Sequence, residues 1–275
     1  MPSVKAGSIA PAARSWLAHS REPRILHVFD QACNLINEHK DVLSVVAAQI
    51  GNGPFNLVLS SEVAFPGRLD AQSRILIRSD QLRLGGLQVD IGAAETWEPR
   101  PNWERLYENR QQLLFQISAA RWIDEALRIP DSALSTLSAA VAEADVSAAR
   151  SAAAQLAGLG PGLTPAGDDV MLGALLAAWI MHPPGLAKAL GQQLCSVAAA
   201  RTTSLSAAWL RSASRGEAGI RWHELFDALL AADGARVHQS VGAITAVGET
   251  SGADALAGFV GACMSRLSSA SFKSL

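Results

Sequence analysis

Hydrophobic residues follow two different patterns along this chain, and the pattern changes near residue 98. Between residues 24 and 91, short aliphatic and β-branched runs alternate with glycine- and proline-containing turns, which is typical of short β-strands. After residue 98 the spacing becomes helical, and alanine and leucine dominate. We therefore predict an α+β protein: a β-rich N-terminal domain at 1–98, built as an antiparallel sheet or barrel, and a larger all-helical domain at 99–275.

Five apolar runs predict strands in the N-terminal domain. They are RILHVF, VLSVVAA, FNLVLS, RILIRS and LQVDIG. The turn GNGP at residues 51–54 precedes the third run and places Asn56 beside that strand. Asn56 is therefore either a ligand contact or a structural turn residue, since asparagine suits both roles.

The helical domain begins with a predicted amphipathic helix over residues 102–128. Its aromatic residues are interpreted as packing anchors. After Pro130, the small-residue segments 131–144 and 145–158 each begin with an aspartate at the N-cap position. The apolar face of the first helix is predicted to carry Trp103, Leu106, Leu113, Ile117 and Leu127.

The most informative stretch is GLGPGLTPAGDD at residues 158–169, directly before the apolar run VMLGALLAAWIM. Its glycines and prolines cannot continue a helix, because glycine costs backbone entropy and proline lacks an amide hydrogen. The segment therefore predicts a tight loop that opens a buried helix, on which Gly173 marks a close contact. A helix N-terminus favours anions. The candidate substrate-binding residues here are Gly160, Gly162, Thr164 and Gly167.

Asp168 and Asp169 close this motif, and two interpretations of them remain open. Carboxylates in a first helical turn can simply cap the free amides. Alternatively, one aspartate caps the helix and the other faces a ligand, as an acceptor for a substrate amide, a general base or a Mg²⁺ ligand. Both are candidate catalytic residues.

A second polar cluster occurs in AARTTSLSAAWL, residues 199–210. Arg201 beside Thr202 and Thr203 suits a carboxylate or phosphate, because the arginine fork binds such groups in bidentate fashion. A surface arginine next to a threonine N-cap explains the same pattern equally well. We include Arg201 among the candidate catalytic residues and both threonines among the candidate binding residues.

A third cluster, GETSGADALAGFVGACM at residues 248–264, carries Thr250, Ser251 and Gly252 in a hydroxyl-bearing turn before another small-residue helix. Three loops of similar construction thus recur in one helical domain. They predict a composite binding site, because several helix N-termini can converge on one anion.

Composition and charge limit the class of protein. With 275 residues, 49% of them hydrophobic, the chain can bury a sizeable core. A net charge of −2 argues against nucleic acid and anionic membranes as partners. The longest apolar run is about half a membrane span, the N-terminus lacks a secretory signal, and three scattered cysteines fit a reducing compartment. We therefore expect a cytoplasmic protein.

The usual catalytic signatures are missing from the sequence. Its six histidines include no HExxH and no pair at metal-ligand spacing, so we predict no metal site and no cofactor apart from Mg²⁺ at the aspartate pair as an alternative. No GxSxG, GxxxxGK[ST] or strand-linked GxGxxG is present. The segment TPAGDD has a partial likeness to the GAGD segment of ribokinase-like sugar kinases, but its register differs by one residue.

The three clusters, together with GNGPFNLVL upstream, resemble a bacterial family long described only as a domain of unknown function. The resemblance spans residues 24–265. One member of that family is a subunit of the oxamate carbamoyltransferase of allantoin degradation, a pathway of purine catabolism. The resemblance therefore implies a carbamoyltransferase subunit.

Carried over to this chain, the resemblance implies transfer of a carbamoyl group between carbamoyl phosphate and a small acceptor such as oxamate. It also implies a complex with other subunits or a homo-oligomer. Two other functions stay open: a non-catalytic assembly subunit, and a Mg²⁺-dependent phosphate-handling enzyme, either a kinase or a hydrolase, that uses the aspartate pair.

Overall fold

The computed structural model describes residues 3–119 and 131–272, with side chains of 132–269 in the second range. The chain divides into two compact units, Met1–Pro99 and Arg100–Leu275. Strands lie in the first unit and most helices in the second, which confirms the predicted α+β fold class. The end of the helix predicted over 102–128, including Leu127, lies outside the described residues.

The described part of the N-terminal unit contains a barrel-like sheet and one helix. The elements are β1 (Ser3–Ile9), α1 (Pro11–His19), β2 (Arg24–Val28), β3 (Ala32–Ile36), β4 (Val42–Val46), β5 (Asn56–Leu59), β6 (Ile75–Arg78), β7 (Gln81–Leu84), β8 (Leu87–Asp90) and β9 (Glu95–Thr96). Across the sheet the order is β2-β3-β4-β5-β1-β8-β7-β6, and β9 pairs with β1. Neighbours are antiparallel except in the pairs β1–β8, β1–β9 and β4–β5, which are parallel.

The five predicted runs form β2, β4, β5, β6 and β8, whereas β1, β3, β7, β9 and α1 were not predicted. One missed strand, β3, contains a polar residue with a partner inside the fold. Buried Asn34 accepts a hydrogen bond of 2.6 Å from the Ser44 hydroxyl of β4. A polar residue with such a partner can lie in a core, and periodicity alone does not reveal it.

The helical unit contains ten helices in its described part. They are α2 (Trp103–Glu108), α3 (Arg110–Ala119), α4 (Asp131–Glu143), α5 (Val146–Leu156), α6 (Ala166–Met181), α7 (Pro184–Ala198), α8 (Ser204–Ser214), α9 (Ile220–Leu230), α10 (Gly234–Thr245) and α11 (Ser251–Phe272). Asp145 caps α5 by accepting a hydrogen bond from the Ala148 amide, as predicted, at 3.0 Å. The side chain of Asp131 lies outside the described residues.

The predicted first helix forms two helices, because the helical structure is interrupted at Asn109 between α2 and α3. Its side-chain amide donates to the Arg105 carbonyl oxygen at 2.8 Å and ends α2. Phe115 is 71% exposed, so its interpretation as a packing anchor was wrong. The rest of the described apolar face is buried as predicted, at Trp103, Leu106, Leu113 and Ile117.

Helices α6 and α11 pack with their backbones almost in contact. A Cβ atom at Gly173 would lie 1.7 Å from the Ala255 carbonyl oxygen, and one at Gly258 would lie 2.0 Å from the Val170 carbonyl oxygen. Only residues without a Cβ allow this approach. The close contact predicted at Gly173 is confirmed, and it holds the N-terminal turns of α6 and α11 side by side.

Candidate functional site at three helix N-termini

The loop between α5 and α6 turns against the segment that leads into α8. Gly158 has φ 73°, and a Cβ there would lie 2.5 Å from the Arg201 carbonyl oxygen. Both the left-handed conformation and the close approach require glycine. Gly160 and Gly162, with φ 114° and 95°, continue the turn toward α6.

Asp168 joins the loop to the start of α8. Its Oδ1 accepts a hydrogen bond of 3.1 Å from the Gly158 amide, and its Oδ2 accepts one from the Thr202 hydroxyl. The residue is 2% exposed. Burial raises the pKa of Asp168, whereas the hydrogen bonds from Thr202 and Gly158 act to lower it. Both carboxyl oxygens therefore have donors within the protein.

Thr203 ties the same two segments together a second time. Its hydroxyl donates to the Leu163 carbonyl oxygen at 2.6 Å and accepts from the Ser206 amide at 3.1 Å, which makes it the N-cap of α8. The Ser206 hydroxyl lies close enough to Asp168 to lower the pKa of that carboxyl. It nevertheless has no hydrogen bond of standard geometry to a described residue.

The third segment meets the loop through its own hydroxyls. Thr164 Oγ1 and Ser251 Oγ are 2.7 Å apart and share a hydrogen bond. Thr250 directly precedes α11, and its carbonyl oxygen accepts from the Asp254 amide at 2.9 Å. At Gly252 a Cβ would lie 1.8 Å from the Ile244 carbonyl oxygen, so the first turn of α11 packs against the end of α10.

Asp169 lies where the first turns of α6 and α11 meet. It is 8% exposed, and among the described residues its Oδ2 has no hydrogen-bond partner. The pKa of Asp169 is raised to about 8, mainly by burial and also by the charges of Asp254 and Asp168, whereas the Ser251 and Thr164 hydroxyls act to lower it. Of the two adjacent aspartates, Asp169 is therefore the one with an unused oxygen.

The loop also offers unused hydrogen-bond donors. Within the described part of the chain, the main-chain amides of Gly160, Gly162, Leu163 and Thr164 donate no hydrogen bond. Helix α6 has no side-chain cap, since Pro165 occupies its N-cap position. Free amides beside an uncapped helix N-terminus can bind an anionic group.

The side chains of two predicted site residues, Arg201 and Asn56, take no part in the contacts described above. The Arg201 guanidinium donates through Nη1 to the Ala154 carbonyl oxygen, near the end of α5, at 2.8 Å. Arg201 contacts the loop through its main-chain carbonyl oxygen, which lies against Gly158. Asn56 belongs to the N-terminal unit, where its buried amide donates to the Gly51 carbonyl oxygen at 3.0 Å. That contact corresponds to the structural turn role.

No group of three or more histidine, cysteine, aspartate or glutamate side chains in the described ranges is arranged to hold a metal ion. No helix in these ranges is both long enough and apolar enough to cross a membrane.

Sequence reasoning missed Asp254, which lies in the first turn of α11 and is 2% exposed. The sequence does carry a signal for it. The pattern G-x-D-x-x-x-G occurs at the start of both α6 and α11, and each member of the second copy follows its counterpart by 85 positions: 252 after 167, 254 after 169 and 258 after 173. Asp254 is thus the counterpart of Asp169.

Comparison with known families gives two matches that together cover most of the chain. Residues 156–263 match a family model described as oxamate carbamoyltransferase subunit AllH, and residues 5–96 match the AllH family N-terminal domain. All three site segments fall within the first match. No curated protein and no solved structure matches the chain.

Proposed function

This chain belongs to the AllH family, and we propose that it acts as a carbamoyltransferase subunit whose helical unit binds the carbamoyl-bearing substrate. The word subunit in the family description implies other chains in a complex. The observation that carries the proposal is the meeting of three helix N-termini around unused amides and one unused carboxyl oxygen. We also propose a cytoplasmic location, which suits a chain whose three cysteines are free.

The two kinds of unused group suit the two ends of carbamoyl phosphate. The phosphate is an anion, and the amides from Gly160 to Thr164 together with the α6 dipole favour a negative charge. The carbamoyl group carries an NH₂, and Asp169 Oδ2 is a buried acceptor that lacks a donor. A substrate with an anion at one end and N–H groups at the other therefore satisfies both parts of the site.

In the proposed reaction the nitrogen of oxamate attacks the carbamoyl carbon. The bond between that carbon and the bridging oxygen breaks, phosphate leaves with the electron pair, and the proton lost by the nitrogen passes to the released phosphate. Fixed amides aimed at the phosphate stabilise the charge that develops on the leaving group. The contribution of this chain is thus to hold and orient the donor substrate.

The test is an assay of oxalurate formation from carbamoyl phosphate and oxamate, with the chain alone and with candidate partner subunits. Asp169→Asn should lower kcat/KM about 10- to 100-fold, because it replaces one carboxyl oxygen by an NH₂ group, which cannot accept a hydrogen bond from the substrate. The matched control is Asp227→Asn on an exposed position of α9, which should leave kcat/KM unchanged.

Two outcomes would contradict this proposal. Full activity of Asp169→Asn would show that the Asp169 carboxyl does not bind the substrate. If calorimetry detects no carbamoyl phosphate binding with or without partner subunits, the chain is an assembly subunit instead. Binding that requires Mg²⁺ would favour the phosphate-handling alternative.

A further inference from the structure

We propose that Asp254 is the second carboxyl group of this site, and that Asp169 and Asp254 together accept the two N–H groups of one substrate NH₂. This inference rests on the proposed function and specifies its substrate class: primary carbamoyl and amide compounds. It is carried by the internal symmetry of α6 and α11 and by the unpartnered, buried oxygen of Asp169.

The contacts between the two helices are reciprocal. Gly173 approaches the carbonyl oxygen of Ala255, and Gly258 approaches the carbonyl oxygen of Val170. Residue 258 follows 173 by the same 85 positions that separate 255 from 170. When residue i contacts j and the counterpart of j contacts the counterpart of i, a local twofold axis relates the two elements. Helices α6 and α11 therefore begin as two copies of one arrangement.

The same symmetry extends to the glycine that opens each helix. A Cβ at Gly167 would lie 2.1 Å from the Leu156 carbonyl oxygen near the end of α5, and one at Gly252 would lie 1.8 Å from the Ile244 carbonyl oxygen near the end of α10. Each helix start is thus pressed against the end of the preceding helix. Two residues after each glycine comes the buried carboxyl, Asp169 in one copy and Asp254 in the other.

The two carboxyls are close enough to interact. The negative charge of Asp254 raises the pKa of Asp169, and the hydrogen-bonded pair Thr164–Ser251 joins the same two helix starts at 2.7 Å. The groups that act on Asp169 are the carboxyls of Asp254 and Asp168 and the two hydroxyls; none of them is a cation. Asp169 therefore favours a ligand that brings hydrogen-bond donors.

The number of donors narrows the ligand class. A planar NH₂ group has two N–H bonds that diverge, so it can donate to two acceptors on opposite sides of a local axis. Carbamoyl phosphate and oxamate both carry such a group. Acetyl phosphate and pyruvate have a methyl group in its place, and their binding would leave Asp169 Oδ2 without a donor. The site should therefore bind carbamoyl phosphate much more tightly than acetyl phosphate, and oxamate much more tightly than pyruvate.

The first measurement uses the wild-type chain, assembled with its partner subunits if it binds ligands only there. Calorimetry should give an affinity for carbamoyl phosphate about 100-fold or more above that for acetyl phosphate. Oxamate and pyruvate provide an independent pair with the same NH₂-to-methyl change. Equal affinities within both pairs would overturn the inference while leaving carbamoyl phosphate binding, and hence the proposed function, intact.

The second measurement uses Asp254→Asn, with Asp227→Asn as the control. In Asp254→Asn the ratio of the affinity for carbamoyl phosphate to the affinity for acetyl phosphate should fall at least about tenfold. Inorganic phosphate should bind as it does to wild type. An unchanged ratio in a folded variant would overturn the role of Asp254. If wild type binds neither carbamoyl phosphate nor oxamate, the proposed function fails and the inference fails with it. A requirement for Mg²⁺ in wild type would also overturn it.

Discussion

The substitution Gly173→Ala tests the contact on which the site depends. The added Cβ would lie 1.7 Å from the Ala255 carbonyl oxygen and 2.8 Å from the Phe259 amide nitrogen. Both are backbone atoms of α11, so no side-chain rotation relieves the overlap. To reach 3.0 Å, a distance below which Cβ contacts essentially do not occur, α6 and α11 must separate by about 1.3 Å.

Two effects of opposite sign decide the change in stability. Alanine in place of glycine in a helix interior contributes about 1 kcal/mol through its higher helix propensity. Overpacking of a buried interface costs about 1–3 kcal/mol and sometimes more. Because α6 is buried along nearly its whole length, we expect the upper end of that cost, and a net loss of about 2 kcal/mol. The melting temperature should then fall by about 4–8 °C.

The matched control is Gly242→Ala in the interior of α10, where a Cβ would meet no atom within 4 Å. Only the propensity effect applies there, so this variant should gain up to about 1 kcal/mol. Thermal and urea unfolding of both variants measure the sign of the change in the free energy of unfolding. The affinity for carbamoyl phosphate should also fall in Gly173→Ala, because the two carboxyls move apart. Equal shifts in both variants would refute the close-contact account.

Two further predictions concern the ionisation of Asp169 and the start of α5. With a folded pKa of about 8 against an ordinary value near 3.9, Asp169 holds a proton that the unfolded chain has released, so its contribution to stability is complete below about pH 4 and is lost as the pH rises to about 8. Asp169→Asn should therefore unfold like wild type at pH 4 and at a higher temperature than wild type at pH 8.5; parallel melting profiles across this range would contradict the raised pKa. Asp145→Ala should lose about 1 kcal/mol in urea unfolding because the cap of α5 is removed, whereas Asp145→Asn, which can still cap, should lose little. Equal losses in these two variants would argue against capping.

The sequence predicted elements where local pattern decides the structure. Apolar runs gave the strands β2, β4, β5, β6 and β8, and the change to helical spacing gave the second unit. The strand β1 was missed although it pairs with both β5 and β8. In its SVKAGSI stretch only Ala6 and Ile9 are buried, three positions apart rather than two, and glycine and lysine weaken the pattern further. Its position in the sheet comes from long-range pairing, which a local pattern does not report.

The same limit applies to the site. The loop 158–169 could be predicted because glycine, proline and a following apolar run determine a helix start locally. That Asp168 binds Thr202, and that Arg201 turns its guanidinium to Ala154, depends on which helices pack together. Asp254 was accessible to sequence reasoning through the repeated G-x-D-x-x-x-G, but the meaning of that repeat requires the reciprocal glycine contacts.

Neither aspartate caps α6, and hydrogen bonds within the protein explain one aspartate of the pair and not the other. Asp168 has a donor for each carboxyl oxygen, as a structural carboxylate should. Asp169 is buried beside two other carboxyls, and its Oδ2 lacks a donor among the described residues, an arrangement that costs free energy in the folded protein. An asparagine at position 169 would fill nearly the same space without placing another ionisable carboxyl there. The cost of Asp169 is therefore best explained by a ligand that supplies the missing hydrogen bond, which is the role the proposed NH₂ group fills.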